Sequence, residues 1–288
     1  MARRRRRTRT STPRPKARPK PAAKPAAAPD LFRLPPNRIP LIHNYCDKWC
    51  QRCEFTSRCA VHAMELEDDA RLGEASRDPA NRQFWDRIGS SLGQALEMLR
   101  RRSIEMGIDP DEPPTPEYEA EQARIDKEVD GHELVRLAED YRDRVFEWVK
   151  NSEPLLETKE KELQDRLRLE LPTAGEAPAD AAEIAEVLDV IQWYHTVIAV
   201  KVHRAVSGAI EGVPECIADM PRDSDGSAKV ALISIERSMG AWMRLRAHLP
   251  EQRDAILDML AGLERLLRGI ERDFPDARAF VRPGFDEA

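Results

Sequence analysis

The sequence lacks any long uninterrupted run of apolar residues. A membrane-spanning helix needs about 18 or more of them, and the most apolar stretch, Val187 to Val206, is interrupted by polar and charged side chains that include Asp189 and Lys201. The sequence also has no apolar segment followed by the small-residue cleavage site of a secretory signal. We therefore expect no membrane contact and a cytoplasmic location.

Signals of β-structure are also scarce. No segment alternates apolar and polar residues as a half-buried strand does. The chain has only 13 glycines for tight hairpins, and aromatic residues make up 6% of it. Hydrophobic residues nevertheless account for 41% of the 288 positions, which is enough for a sizeable core. The composition and pattern predict an all-α protein.

Several motifs of catalysis and nucleotide binding are missing. The sequence has no Gly-x-Ser-x-Gly, no lysine in a phosphate-binding loop and no Gly-x-Gly-x-x-Gly. Its 52 acidic residues are too many for any pair to stand out as a general acid and base. The sequence therefore identifies no catalytic residue, and it favours a protein that is not an enzyme without deciding the question.

Acidic residues are absent from residues 1–29, which hold eight arginines and three lysines and so carry a net charge of +11. Because the whole chain carries −6, the remaining residues carry −17. The basic segment has six prolines and, after Met1, no large apolar side chain, so we expect residues 1–38 to be a disordered tail and connector. Two interpretations stay open: the tail contacts nucleic-acid phosphates, or it is a solubilising segment that folds back on the acidic body.

Apolar residues recur at three- and four-residue steps through most of residues 78–275, which indicates amphipathic helices. Gly131 marks a change of register inside one long helix, and the most apolar helix is expected at the centre. We expect five or six mainly antiparallel helices in a bundle over 78–275, followed by a C-terminal tail, 276–288. The predicted helices cover residues 78–107, 116–148, 155–171, 180–210, a segment around 232–242, and 250–274.

Four of the five cysteines fall within fourteen residues, at Cys46, Cys50, Cys53 and Cys59. In a reducing compartment, thiols at such close spacing are more often metal ligands or redox groups than structural disulfides. The spacing C-x3-C-x2-C-x5-C therefore predicts that residues 39–66 form a metal-binding or cluster-binding segment.

The spacing favours an iron–sulfur cluster. A loop followed by a helical turn can wrap a compact [4Fe-4S] cluster with four nearby thiolates. Structural zinc usually takes two well-separated pairs of ligands, whereas this segment has only one two-residue gap. We expect Tyr45, Trp49 and Phe55 to shield the cluster from water. Zinc stays an alternative, because Cys53-x5-Cys59-x2-His62 approaches half of a CCCH finger with its last gap one residue short.

Two partial resemblances cover only these cysteines. The triad Cys46-x3-Cys50-x2-Cys53 resembles the radical S-adenosylmethionine signature, which implies a three-cysteine cluster with one open iron. That family has a β/α barrel and an aromatic residue before the third cysteine, where this chain has Arg52 and predicted helices. Cys50-x2-Cys53-x5-Cys59 is similar to the cluster staple of RecB-type nucleases, but the distant first ligand and the carboxylate–lysine nuclease core are not visible here.

The remaining candidate residues give weaker indications of a metal site or an activity. His195 and His203 lie eight residues apart on the predicted central helix, and no Glu stands three residues before any His, as a di-iron bundle would require. Cys216 lies alone in a proline-containing loop. The sequence thus predicts an iron–sulfur protein with a redox, sensing or structural role and an unidentified protein partner. The alternative is a zinc-stabilised helical interaction protein whose basic tail, residues 1–29, contacts nucleic acid or an acidic partner.

Overall fold

The computed structural model describes residues 37–107, 109–212 and 222–286. Within these ranges it contains eight α-helices and no β-strand, so the all-α prediction is confirmed although the number of helices exceeds the expected five or six. Residues 1–36, which include most of the predicted disordered tail, lie outside the described residues, as does Cys216.

The helices are numbered in chain order. Their bounds are α1 Ala60–Leu72, α2 Arg82–Glu105, α3 Pro116–Gly131, α4 Glu133–Asn151, α5 Glu153–Arg168, α6 Ala177–Glu211, α7 Asp223–His248 and α8 Arg253–Asp273. Three short 3₁₀ turns precede α1, at Ile42–Asn44, Cys50–Arg52 and Thr56–Arg58. The cysteine segment is thus a series of single turns that leads into the first regular helix.

Two helices account for the higher count. The single helix predicted over 116–148 is two helices, because the residue between them, His132, has an extended backbone with φ −69° and ψ 137°. The Nδ1 atom of His132 accepts a hydrogen bond from the backbone N–H of Leu134 at 3.2 Å and so caps α4. The other addition is α1, which buries none of its thirteen residues and therefore lacks a clear apolar period for sequence reasoning to detect.

The longest described helix, α6, lies at the centre of the bundle and contacts α3, α4, α5 and α7. It runs antiparallel to α7, because Glu183 near its start bonds His248 at the end of α7, whereas Arg204 near its end bonds Asp223 at the start of α7. Even α6, at 35 residues, does not combine the length and the apolar composition needed to cross a membrane, and neither does any other described helix.

A polar network links α4 and α7 at the centre of the bundle. The indole Nε1 of Trp242 donates to the hydroxyl of Tyr141 at 3.0 Å, and that hydroxyl shares a 2.5 Å hydrogen bond with Ser238. All three side chains are buried. Because every polar atom of this group has a partner, the network links the two helices without an unsatisfied buried donor.

The second helix, α2, lies outside this core. Its principal contacts are with the 3₁₀ turn Glu74–Arg77, and it buries none of its residues. The apolar side chains that predict the helix are solvent-exposed: Leu92 is 61% exposed, Leu96 66% and Leu99 65%. The sequence pattern therefore identified the helix correctly, but its apolar face does not pack on the bundle that the same pattern predicted over 78–275.

Candidate metal centre

Three of the four cysteines lie at the ends of the 3₁₀ turns that precede α1. Cys50 opens the second turn and Cys53 ends it, with the Cys53 N–H donating to the Cys50 carbonyl at 3.2 Å. Cys59 ends the third turn and is the N-cap residue of α1. Between Cys46 and Cys50, Lys48 adopts a left-handed backbone conformation with φ 61°. The local turns thus give each thiol a defined position.

All four predicted ligands line the same cavity. Each cysteine is partly buried and none forms a disulfide. Although they share the cavity, no three of their sulfur atoms lie within 4.8 Å of one another in the described part of the chain. Four sulfurs on a single zinc, each about 2.3 Å from the ion, would lie roughly 3.8 Å apart. Within the described residues, no three of these sulfurs are therefore as close together as the coordination shell of one zinc ion would require.

Burial disfavours the thiolate form of two of these cysteines. Burial raises the pKa of Cys46, although the positive charges of Lys48 and Lys201 act in the opposite direction. Burial also raises the pKa of Cys50, and the nearby carboxylate of Glu65 adds to that effect. Since metals bind the thiolate, a bound metal must displace these protons.

A histidine also faces the cavity. His62 lies in the first turn of α1, and its Nδ1 atom is buried with no hydrogen-bond partner among the described residues. That nitrogen lies 3.7 Å from the carboxylate of Glu65. The ligand atoms of Cys50, His62 and Glu65 all lie within 4.8 Å of one another, which one metal ion can bridge. The structure therefore offers a three-residue group beside the four-cysteine group, with Cys50 common to both.

Asp47 attaches the cysteine segment to the bundle. Its carboxylate accepts hydrogen bonds from the Tyr194 hydroxyl and from Arg237 Nη1, both at 2.7 Å, and from the backbone N–H of Trp49 at 3.1 Å. Its backbone carbonyl accepts a hydrogen bond from Trp193 Nε1 at 2.9 Å. A residue adjacent to the first cysteine thus contacts both α6 and α7, and it orients Cys46 and Cys50 relative to them.

Stacked side chains support the same attachment. The ring of Trp49 stacks on Trp193 of α6, with centroids 5.0 Å apart and planes at 19°. The Arg52 guanidinium lies 3.9 Å from the centroid of the Trp49 ring and forms two hydrogen bonds to Glu186, of 2.7 and 3.2 Å. The planar guanidinium suits both the aromatic face and the carboxylate. The turn that carries Cys50 is therefore held against α6 by contacts on two of its side chains.

The aromatic residues expected around the thiols have different positions. Trp49 lines the cysteine cavity, as does Phe285 from the segment after α8. Tyr45 instead packs on Phe280 at a centroid distance of 4.7 Å, and Phe55 packs edge-on against Phe285 at 5.0 Å. The C-terminal segment thus supplies aromatic neighbours that the local sequence of the cysteine segment does not include.

A buried lysine lies close to the first cysteine. Lys201 of α6 is only 6% exposed and donates a hydrogen bond from Nζ to the backbone carbonyl of Asn44 at 2.7 Å. Burial lowers the pKa of Lys201 to about 8. In the sequence this residue was notable only as an interruption of an apolar stretch, and that interruption was the signal that could have identified it as a contact of the cysteine segment.

The other histidine candidates do not join a metal group in the described residues. The Nδ1 atom of His195 bonds the carbonyl of Gln192 at 2.6 Å, within its own helix. His203 is exposed, and His132 is occupied as the cap of α4. The described structure therefore gathers ligand-type side chains at the cysteine segment rather than on the central helix.

The comparisons with known proteins find no relative. No family model matches the chain, and no curated protein or solved structure does either. The chemistry of the centre must therefore be inferred from its own residues.

Proposed function

We propose that this protein binds a [4Fe-4S] cluster through Cys46, Cys50, Cys53 and Cys59. The observation that carries the proposal is the position of the four sulfurs, which line one cavity while no three of them lie within 4.8 Å of one another in the described part of the chain. A cubane cluster offers a separate iron to each thiolate, so its ligands stand further apart than the ligands of one ion. The spacing of the thiols supports a cluster over a tetrahedral zinc ion.

The role proposed for the cluster is to transfer one electron or to report oxidants. Four thiolates leave no iron open for substrate, which favours electron transfer over catalysis at the metal. Lys48 and Lys201 place positive charge near the sulfur of Cys46, and charge close to a cluster tunes its potential. All four cysteines are only partly buried, so a redox partner or an oxidant can approach them.

The cluster would also stabilise the segment that binds it. None of the residues of α1 is buried, and neither the Cys50–Arg52 turn nor the Thr56–Arg58 turn buries a side chain. Apolar packing therefore contributes little to holding these elements in place. A cluster bound by a residue from each turn would supply coordination energy instead, as structural metals do in other small segments.

The deciding experiment is anaerobic purification followed by analysis of iron, sulfide and zinc and by visible absorption. We expect about four irons and four sulfides per chain, with thiolate-to-iron charge-transfer absorption. Replacing Cys53 by serine should lower the iron content sharply, whereas Cys216→Ser, which alters the one cysteine outside the group of four, should not. Stoichiometric zinc in a colourless protein would overturn the proposal.

The redox role has a separate test. A titration of the iron-loaded protein from roughly −700 to about +450 mV covers the range of known clusters. A reversible one-electron transition in that range is the expected result. A loaded cluster with no transition would remove the redox role and leave the cluster as a structural element.

A single zinc ion is the second candidate, favoured by the closeness of the Cys50, His62 and Glu65 ligand atoms. In this version the metal clips α1 to the cysteine turns, and the protein acts through interactions, with residues 1–29 contacting nucleic acid or an acidic partner. His62→Gln should then remove zinc, whereas the iron of a four-cysteine cluster should survive that change. If deletion of residues 1–29 left the affinity for RNA and DNA unchanged at low salt, the nucleic-acid contact would be excluded.

A further inference from the structure

A second cavity lies beside the cysteine cavity, with Cys53 in the wall of both. It is bounded by the cysteine segment, by α6 and α7, and by Phe285, and it has a volume of about 740 Å³. Pockets for small molecules have volumes of roughly 300–1,000 Å³. The volume is therefore sufficient for a small organic ligand, and the nature of that ligand depends on the lining residues.

Two arginines of α7 face this cavity with unused hydrogen-bond donors. Arg237 bonds Asp47 and Tyr194 through Nη1 alone, so its Nε and Nη2 have no partner among the described residues. Arg244 makes no hydrogen bond to a described residue, and its nearest carboxylate is that of Glu183, 4.0 Å away. Free guanidinium donors in a cavity are suited to carboxylate or phosphoryl oxygens, which they bind with two parallel hydrogen bonds.

Besides these two arginines, the charged residues that line the cavity are Arg52, Asp47 and Glu54. Arg52 directs its two Nη atoms to Glu186 and is not available to a ligand. The carboxylate of Asp47 already accepts three hydrogen bonds. Glu54 is the remaining acid in the lining. The lining thus holds three arginines against two acids, a net charge of +1, and Glu183, which is not part of the lining, lies 4.0 Å from Arg244.

Gly240 leaves room between the two free guanidinium groups. It lies three residues after Arg237 and four before Arg244, so all three positions share one face of α7. A Cβ atom at Gly240 would meet no atom within 4 Å. The arginines are separated by seven residues, or about 10 Å along the helix. An anionic group placed over Gly240 would therefore have an arginine on either side and no side chain beneath it.

The remaining wall is apolar. Trp49 and Phe285 contribute aromatic rings, and Val190 contributes an aliphatic surface from α6. Small-molecule sites commonly combine a mostly apolar wall with a few well-placed polar groups. The lining therefore suits a ligand with an anionic group, which the arginines would bind, and a non-polar body, which the apolar side chains would contact.

We propose that this cavity binds a small organic anion, whose carboxylate or phosphoryl group is held by Arg237 and Arg244 over Gly240 and whose non-polar body contacts Trp49 and Phe285. Because Cys53 lies in the wall, the bound anion would sit next to one ligand of the metal centre. That adjacency rests on the proposed function, whereas the binding itself depends only on the cavity and its two arginines.

The test is calorimetric titration of the full-length, metal-loaded protein at low ionic strength, under anaerobic conditions. The probes are phenyl phosphate and benzoate, which distinguish phosphoryl from carboxylate recognition, and benzyl alcohol, which has no charge. We expect saturable binding of at least one anion and none of the alcohol. Arg244→Gln should weaken the binding at least about tenfold. Gly240→Leu should abolish it, because the added side chain would occupy the space over the helix.

Matched variants separate this effect from general changes in charge or fold. Arg268→Gln removes an exposed arginine of α8, and Gly93→Leu adds a leucine at a helical glycine of α2 that has no atom within 4 Å of its Cβ position. Both should bind the anion as the wild type does. Failure of both anions to saturate, or equal binding by the Gly240→Leu variant, would overturn the proposal. Iron, sulfide and zinc analysis of each sample reports independently on the metal centre.

Discussion

The carboxylate of Asp47 accepts a hydrogen bond from the hydroxyl of Tyr194 at 2.7 Å, although the two residues are 147 positions apart. Asp47 directly follows the first predicted ligand, Cys46, and Tyr194 lies at the middle of the central helix α6. This contact attaches the cysteine segment to the central helix of the bundle. It also makes the stability of the bundle depend on a residue that belongs to the cysteine segment.

We expect Asp47→Ala to lower the free energy of unfolding by about 1–3 kcal/mol, because it leaves the Tyr194 hydroxyl without its acceptor in a largely buried position. The ion pair with Arg237 adds little, since the Arg237 side chain is 54% exposed. Urea denaturation followed by tryptophan fluorescence measures the change. Asp189→Ala is the control, because Asp189 is 67% exposed and 3.6 Å from Arg52. An equal loss in both variants would contradict this account of Asp47.

Two glycines of α7 should respond in opposite directions to alanine. A Cβ atom at Gly226 would lie 2.4 Å from Cε1 of Tyr45 and 2.7 Å from Cζ of Phe280, so both rings would have to move. We expect Gly226→Ala to destabilise the protein by about 1–3 kcal/mol. Gly240→Ala meets open space and should stabilise it by up to about 1 kcal/mol through helix propensity. Thermal unfolding of the two variants compares them directly.

The buried amine of Lys201 predicts a specific pH dependence. Its pKa is about 8 in the folded protein against the ordinary lysine value of 10.5, so between these pH values the unfolded chain binds more protons and stability rises with pH. The rise is at most about 3 kcal/mol. Tyr45, Tyr141 and Tyr194, whose pKa values are raised to about 12, act in the opposite sense above about pH 10.

The contribution of Lys201 is therefore measured as the difference in unfolding free energy between the wild type and a variant without the amine. Urea unfolding of the wild type and of Lys201→Met is compared at a series of pH values from about 7 to 10. The methionine variant should lack the rise, so its stability relative to that of the wild type should fall as the pH increases. If the difference in unfolding free energy between the two proteins stayed constant across this range, the pKa of Lys201 would not be lowered by burial.

Leucines with the same helical pattern should differ in their contribution to stability. Leu96 of α2 is 66% exposed, whereas Leu263 of α8 is fully buried. We expect Leu263→Ala to cost about 2–5 kcal/mol and Leu96→Ala less than about 0.5 kcal/mol. Chemical denaturation of the two variants tests this difference. A large loss from Leu96→Ala would mean that α2 packs against protein in solution.

Helix prediction was accurate where apolar residues kept one period through a packed element. The expected ranges 180–210 and 250–274 agree closely with α6 and α8. The prediction failed at His132, whose side chain caps a new helix inside a continuous apolar pattern. It also missed α1, which buries no residue. Apolar periodicity indicates that one face of a helix is buried. It therefore cannot detect a break between two helices whose apolar residues continue the same period, and it cannot detect a helix that has no buried face.

The candidate site was only partly predictable for a related reason. The four cysteines are identified by spacing alone, because ligands on adjacent turns must be close in sequence to be close in space. The groups that position them come from distant elements: Trp193 and Lys201 from α6, Arg237 from α7 and Phe285 after α8. No local pattern marks such residues, since each of them is ordinary in its own helix or loop.

The sequence by itself determined that the chain is helical, where most helices lie, and that Cys46, Cys50, Cys53 and Cys59 fall close enough together to share a site. These are local properties, set by residues within a few turns of one another. Only the tertiary structure decided which apolar faces are buried, which residues hold the cysteine segment, and that a basic cavity adjoins Cys53. Those outcomes depend on which helix faces pack against each other. The sequence pattern of one helix does not specify the surface that will cover it.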